Sequence, residues 1–472
     1  MEAAKVTGSP ILQYMAAASG TLAIVTDGMH YGWPSPSLPQ LVNSTNNTSS
    51  ISISSEAGSW MAVMPLIGAV VGALTAASIV DRLGRKKTII ATFVPFFLAW
   101  MLIAFAGSAI ELNVARFIAG VADGVTFTAV PMYVGEISDP KVRGLLGSSC
   151  SVTWIIGFLL INIIGSYLSI SWTAIVSSFI PLIACVTFVW MPESPYYLLM
   201  RDREADAKES LRKFRKVQDV DDEILRIKES LQTQKKDGSG RFFDLFTVKS
   251  NRRAVFIIAG LRGFQQFSGT TAITFYTQEI FKQAGDDVSP HHASMIYFSV
   301  QLLVTIISSG IVDKAGRRPL LIISMAGSAF ALFLEGTYFY VKTETRINIS
   351  SYSFIPVVVL IAFVIIFSIG MQSIPILMLG ELFPTSVKAF ALCLADVYFS
   401  LVATIASKFL QIMKDNYGMY CAFYGFSICS VFGLVFILLC VPETKGKTLE
   451  EIQNYLRGEE PKKDVDSDCT KL

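Results

Sequence analysis

Charge is what this chain has least of. Only 16% of its 472 residues are Asp, Glu, Lys or Arg, against ~25% in an ordinary soluble protein. Hydrophobic side chains make up 52%, and mean hydropathy is +0.52. That balance excludes a water-soluble globular domain and points to a polytopic membrane protein. A net charge of +2 gives no reason to expect nucleic acid as a partner. A cysteine framework is missing too. Cys150, Cys185, Cys393, Cys421, Cys429, Cys440 and Cys469 show no metal-type spacing, and none falls in a segment expected outside the cell. Neither disulfides, nor a metal, nor another cofactor is expected. No cleavable signal-peptide pattern is present; the first apolar stretch runs on as a full span and is expected to act as its own insertion signal.

What is present is a series of long apolar runs. Twelve spans are expected, at 11–33, 57–80, 88–107, 113–135, 145–168, 172–191, 254–281, 291–312, 319–341, 353–380, 387–412 and 418–441. Of the 39 Lys and Arg, only Lys282, Lys342, Arg346, Lys408 and Lys414 fall in odd-numbered loops or at their edges, and Arg116 and Arg262 lie within spans. The others lie in even-numbered loops and the termini, which the positive-inside bias assigns to the cytoplasm. Sequons begin at Asn43, Asn46, Asn47 and Asn348, all in loops that this rule places outside, as glycosylation requires.

Residues 192–253 are the one long polar break. Ala207, Leu211 and Phe214 fit one helical face there, and Ile224, Ile227 and Leu231 another, so short amphipathic helices under the cytoplasmic face are expected. Six spans lie on each side, and the sides match. Asp81–Lys87 follows span 2 and Asp313–Arg318 follows span 8. Glu136 precedes Arg143 by the same interval as Glu381 precedes Lys388. Pro192-Glu193 closes span 6 and Pro442-Glu443 closes span 12. Three matches in one order indicate a duplicated six-helix unit. The expected division is a bundle at 1–191, a linker at 192–253, a bundle at 254–441 and a cytoplasmic tail at 442–472.

The seventh span carries an unusual polar load. Gln266, Thr270 and Thr274 recur every four residues, one face of a helix. Lipid offers such groups no partners, so the stripe should face a bundle interior or wet cavity. Interhelical glue is the plain alternative, the usual role of an isolated Ser or Thr. Two adjacent amides, Gln265 and Gln266, suit a neutral, hydroxyl-rich ligand better, since each offers both donors and an acceptor.

Gln265-Gln266-Phe267-Ser268-Gly269, Arg116 through Gly124, Pro131 through Arg143 and the paired Asp81 and Asp313 loops together resemble the sugar porter branch of the major facilitator superfamily. The stretch from Gly28 to Pro39 is most similar to insect facilitated trehalose transporters. The resemblance implies an all-α membrane protein of twelve transmembrane helices in two pseudo-symmetric six-helix bundles, with cytoplasmic helices between them. It implies a monomer in the plasma membrane, both termini cytoplasmic, whose partners are a small-molecule sugar and the lipid bilayer. The halves would rock about a midplane site. Glu136 with Lys388, and Glu381 with Arg143, would bridge them on the cytoplasmic side, joined by Arg82, Arg85, Arg317, Arg318, Glu193 and Glu443. Proton-coupled relatives pair the arginine at Arg116 with a first-helix acid. His30 stands at that acid's position, with Asp27 three residues earlier, and His titrates near pH ~6.5.

The departures bear on substrate. Thr271 stands for an asparagine, Ser151 for a glutamine, and Phe399-Ser400 for Asn-Trp. In the tenth span, Gly370 through Ile376 has lost two prolines and a tryptophan, removing places where that helix could bend. Substrate contacts are expected from Gln265, Gln266, Thr271, Tyr276, Gln372 and Ser151, with Phe264, Phe267 and Phe399 packing apolar faces and Ser268 and Asp396 compensating. The expected activity is facilitative uniport of trehalose or a hexose. A proton-coupled symporter, a non-transporting sugar sensor and a porter of another polar solute are the alternatives.

Overall fold

The computed structural model describes residues 11–42, 51–139, 142–236, 242–285, 289–345, 347, 352–447 and 449–457. The sequons at Asn43, Asn46, Asn47 and Asn348 lie outside them. All regular structure among the described residues is helical. The first half contains α1 (Ile11–Gly32), a short α2 (Pro34–Val42), α3 (Ser55–Leu83), α4 (Arg85–Phe105), α5 (Ala109–Ile137), α6 (Arg143–Tyr167) and α7 (Ile170–Phe188). Four short helices follow in the polar break: α8 (Pro195–Met200), α9 (Glu204–Arg215), α10 (Asp221–Lys236) and α11 (Asp244–Thr247). The second half contains α12 (Lys249–Phe267), α13 (Thr270–Ala284), α14 (Pro290–Ala315), α15 (Arg317–Glu344), α16 (Ile355–Ile369), α17 (Ile374–Leu382), α18 (Thr385–Asn416) and α19 (Met419–Cys440), and α20 (Leu449–Arg457) follows it.

Ten segments among the described residues are long and apolar enough by themselves to cross a bilayer, with α16 and α17 counted as one. The polar-studded α1 and the interrupted α12–α13 make up the twelve. Helix starts are chemically marked. Ser54 accepts from the Ala57 amide and Ser108 from the Glu111 amide, which satisfies donors that the first turn leaves open.

Small residues set the packing within the first half. A Cβ on Gly68 or Gly72 of α3 would lie 2.3 Å from a carbonyl oxygen of α5, and Gly120 and Gly124 are equally tight against α3. Four-residue spacing of glycine on both helices lets the backbones touch, which drives association where lipid removes the hydrophobic effect.

The duplicated loops form the same clasp twice. Gly84 and Gly316 adopt φ of +91° and +93°, where glycine alone is unstrained. Each ends one helix and begins the next. The Glu193 carboxylate accepts from the Lys86 amide at 2.9 Å, and the Glu443 carboxylate from the Arg317 and Arg318 amides at 3.0 Å. A negative group thus sits on the open donors of a helix N-terminus.

Two spans are broken. The seventh stops at Phe267 and restarts at Thr270, because Gly269 takes φ +80° and a Cβ there would lie 2.5 Å from the Phe426 ring. The tenth breaks between Ile369 and Ile374. The expectation that lost prolines remove this bend is therefore wrong. One retained proline is enough: Pro375 has no N–H for the Met371 carbonyl four residues back.

In the polar break, Leu198, Leu199, Ala207, Leu211, Val220, Ile224 and Ile227 form a small apolar cluster of their own. Arg215 ties this layer to the first half, donating to the Ile137 carbonyl at 2.8 Å and pairing with Glu223.

Candidate functional site

A cavity of about 1130 Å³, open solvent at its mouth included, lies between the two halves. The first half lines it with Tyr31, Asp123, Phe127, Ser151, Trp154 and Phe158, and with Ala69, Ala73 and Gly124 where α3 and α5 come close. The second half supplies Arg262, Gln265, Gln266, Thr270, Thr271, Thr274, Phe275, Gln301, Gln372, Asp396, Phe399 and Ser400. Aromatic faces and a few convergent polar groups are what a sugar-sized ligand pocket needs.

The two broken helices meet at this wall. Gln265, near the end of α12, donates its Nε2 to the carbonyls of Met371 at 2.6 Å and Gln372 at 3.3 Å. Its Oε1 accepts from Arg262 Nη1 at 3.2 Å. The Gln265 amide is thus occupied by the backbone break. Gln266 is placed differently. Its Oε1 accepts from the Thr271 hydroxyl, and the residue lines the cavity.

Arg262 crosses to α18, with Nη2 3.6 Å from Asp396 Oδ1 and the guanidinium 4.9 Å from the Phe399 ring centroid. On the opposite wall Tyr31 donates to Asp123 at 3.0 Å, and Trp154 Nε1 donates to Asp27 at 2.9 Å.

Several expected residues lie elsewhere. Tyr276 is buried outside the cavity, its ring 5.2 Å from Lys414 Nζ. Phe264 packs on Phe436, and the Ser268 hydroxyl returns to the Gln265 carbonyl. His30 stacks on Trp100 at 3.9 Å, away from any acid. Arg116 is buried against the carbonyls of His30, Met61 and Ala62, without an ion pair among the described residues. The pairing of Arg116 with Asp27 or His30 that the proton-coupled alternative calls for is not made; backbone oxygens hold the guanidinium instead.

The cross-half bridges are not made either. Glu136 pairs with Arg85 at 2.9 Å and accepts from Ser194. Glu381 pairs with Arg317 at 2.8 Å and accepts from Thr444. Lys388 Nζ donates to the Gly380 carbonyl at 2.9 Å, and Arg143 to the Ser138 carbonyl at 3.4 Å. Arg82 contributes its carbonyl to Tyr197 and Arg201, and the Arg318 guanidinium reaches the Leu438 carbonyl. Each charged network closes within its own half because its partners stand on the same clasp.

Contacts between the halves gather at the other end. Gln278 Nε2 meets Asn162 Oδ1 at 3.3 Å and Ser166 Oγ at 3.1 Å, Lys408 donates to Ser59, and Ser55 donates to Asp415 at 3.0 Å. These contacts hold the halves together on that side, whereas the charges at the basic end do not bridge them.

The sequence model described as Sugar (and other) transporter matches residues 15–456. The chain belongs to this family. It is 33% identical over 464 residues to a facilitated trehalose transporter Tret1 of Polypedilum vanderplanki, covering 97% of this chain and 91% of that one. Against Tret1 of Bombyx mori the identity is 34% over 445 residues, covering 94% and 86%. Against Tret1 of Drosophila mojavensis it is 33% over 463 residues, covering 97% of this chain. The chain spans about half the length of that relative, 53%, and of several others. Among solved structures, inward-open XylE, the xylose transporter of E. coli, superposes with a TM-score of 0.77 at 23% identity, covering 94% of this chain and 99% of that one. Its partially occluded inward-open form gives 0.76 at 23%, covering 93% and 100%. At that identity the likeness shows the fold: the major facilitator arrangement of two six-helix bundles.

Sequence reading missed Asp123, Trp154, Tyr31 and Gln301 as cavity residues. Gln301 had a signal, being an amide within an apolar run. Asp123 sat in plain view within the Arg116–Gly124 motif.

Proposed function

We propose that this chain moves a small neutral sugar, trehalose or a hexose, down its gradient by alternating access. The observation that carries this reading is the chamber between the halves, walled by the Gln266 amide, the hydroxyls of Thr270, Thr271 and Ser400, and the faces of Trp154 and Phe399. Sugars present hydroxyls around an apolar ring face, and such walls suit both. The Tret1 relatives, named as facilitated trehalose transporters, support the substrate class and downhill movement.

The basic end is read as cytoplasmic, which makes this conformation inward-facing and puts both termini inside a plasma-membrane carrier. Gln266, Thr271, Gln372 and Ser151 are the proposed sugar contacts; Gln265 holds the wall in shape. Counterflow of labelled trehalose, glucose and other neutral sugars in vesicles containing the purified chain tests the proposal. Exchange of at least one, reduced in Gln266→Ala with folding intact, is expected; no exchange of any would overturn it. A porter of another polar solute is the second reading, favoured by the Arg262–Asp396 pair in the wall.

A further inference from the structure

Behind the aromatic wall of the first half, two acids meet. Asp27 of α1 and Asp123 of α5 are both buried, at 1% and 5% exposure, and they face one another, each held by one of two rings, Trp154 and Tyr31, whose centroids lie 5.9 Å apart. Each has one oxygen satisfied: Trp154 Nε1 serves Asp27 Oδ2, and the Tyr31 hydroxyl serves Asp123 Oδ2. The two Oδ1 atoms are left, buried and without any donor. Two ionised carboxylates can only accept, so this arrangement leaves both lone oxygens unpaired. One proton between them satisfies both at once. Asp123 lines the cavity, so water there can deliver that proton and take it away.

The surrounding charges give the proton a consequence. Arg116 faces the pair from α5, and Asp396 of α18 faces Asp123 across the chamber, paired in turn with Arg262 of α12. Tyr31 and Trp154 contribute the two hydrogen bonds already described. His30, stacked on Trp100, offers neither ring nitrogen to the pair. The charged residues of α3 lie at its ends, and α7 has none. Asp27, Asp123 and Asp396 against Arg116 and Arg262 leave one negative charge in excess. While the chamber is wet, water screens it. Once the halves close, it is sealed in a low-dielectric interior, where an uncompensated charge is costly. One proton on the acid pair brings the wall to neutrality.

We propose that the Asp27–Asp123 pair is a proton-binding site whose occupancy lets the chamber close, with or without sugar inside. The proton does not depend on the sugar, so the empty carrier returns with it aboard. Sugar movement stays downhill, no net proton current accompanies it, and its speed follows pH. This rests on the alternating-access reading.

Two measurements on the full chain test it. Infrared spectra in detergent should show a protonated-carboxyl C=O stretch that fades as pH is raised and is missing from both Asp123→Asn and Asp27→Asn. Glu335 of α15 is also fully buried with neither oxygen hydrogen-bonded, so a band unchanged in both variants, as one from that residue would be, overturns the site. In vesicles with equal pH on both sides, trehalose and glucose exchange in the wild type should slow at least several-fold from acid to alkaline pH. An imposed pH gradient should drive no accumulation. Exchange indifferent to pH, or sugar accumulated by the gradient, overturns the proposal. Absence of exchange at every pH, with the band present and absent as expected, would instead count against the transporter reading.

Discussion

The side-chain amide of Gln265 donates to the main-chain oxygen of Met371 at 2.6 Å. That oxygen is the one Pro375 cannot serve. A glutamine on one broken helix therefore completes the backbone of the other, which is how irregular backbone survives at membrane depth. Gln265→Leu should leave the carbonyl unpaired and cost about 1–3 kcal/mol of stability. Adding Pro375→Ala restores an N–H in reach and should recover at least half of the loss in thermal unfolding of the purified chain. Purely additive damage would show that the amide does not stand in for the missing donor.

A second expectation concerns Arg85 and Glu136. The arginine side chain is 5% exposed, and the pair lies at 2.9 Å. Removing one partner of such a buried pair costs about 3–5 kcal/mol. Arg85→Glu should lower expression and melting temperature sharply, and Glu136→Arg in the same chain should restore part of both. The same exchange using Lys388 and Glu136, which do not meet here, should not restore them. Rescue by the Lys388 exchange alone would put the structural bridge between the halves.

Acid should loosen the second clasp. Burial pushes the Glu443 carboxyl up, but amides of Lys445, Arg317, Arg318 and Thr444 outweigh it and hold the group below its ordinary range. A carboxylate depressed in the folded state stabilises above its unfolded pKa of ~4.3 and loses that contribution as pH falls through the folded value. The melting difference between wild type and Glu443→Gln should thus be full at neutral pH and shrink below about pH 4. A difference that stays constant down to acid pH would sink this account.

At the far end, Gln278 joins the halves through Asn162 and Ser166, with His291 Nδ1 3.0 Å from its Oε1. Gln278→Leu should loosen that closure. A cysteine placed at Ser400, in a background lacking the native cysteines, should then react several-fold faster with an impermeant thiol reagent applied from that side. Equal rates would mean that Gln278 does not keep the chamber shut.

The periodicities that announced the spans were legible because lipid enforces them residue by residue. The duplicated loops were legible because the same clasp needs the same glycine, acid and base twice. What stayed hidden depends on register and state. The stripe counted from Gln266 through Thr270 to Thr274 survives the interruption at Gly269, since all three line the chamber, but Tyr276, beyond it, turns toward Lys414. The acids Glu136 and Glu381 were visible in sequence, but the base each holds is the one its own clasp brings beside it, Arg85 and Arg317, which spacing along the chain does not reveal. Asp27 and Asp123 are 96 positions apart, and only the packing of α1 against α5 brings them together.

The twin glycine–glutamate clasps bear on how the machine can deform. At both corners an added Cβ would strike the carboxylate within about 3 Å, so neither corner has slack to flex. Each bundle should then travel as a solid casting, with the give confined to the seam and to the two interrupted rods beside it. Thermal softness, if mapped by exchange of backbone deuterium, ought to trace that seam like a crack line and leave the corners cold.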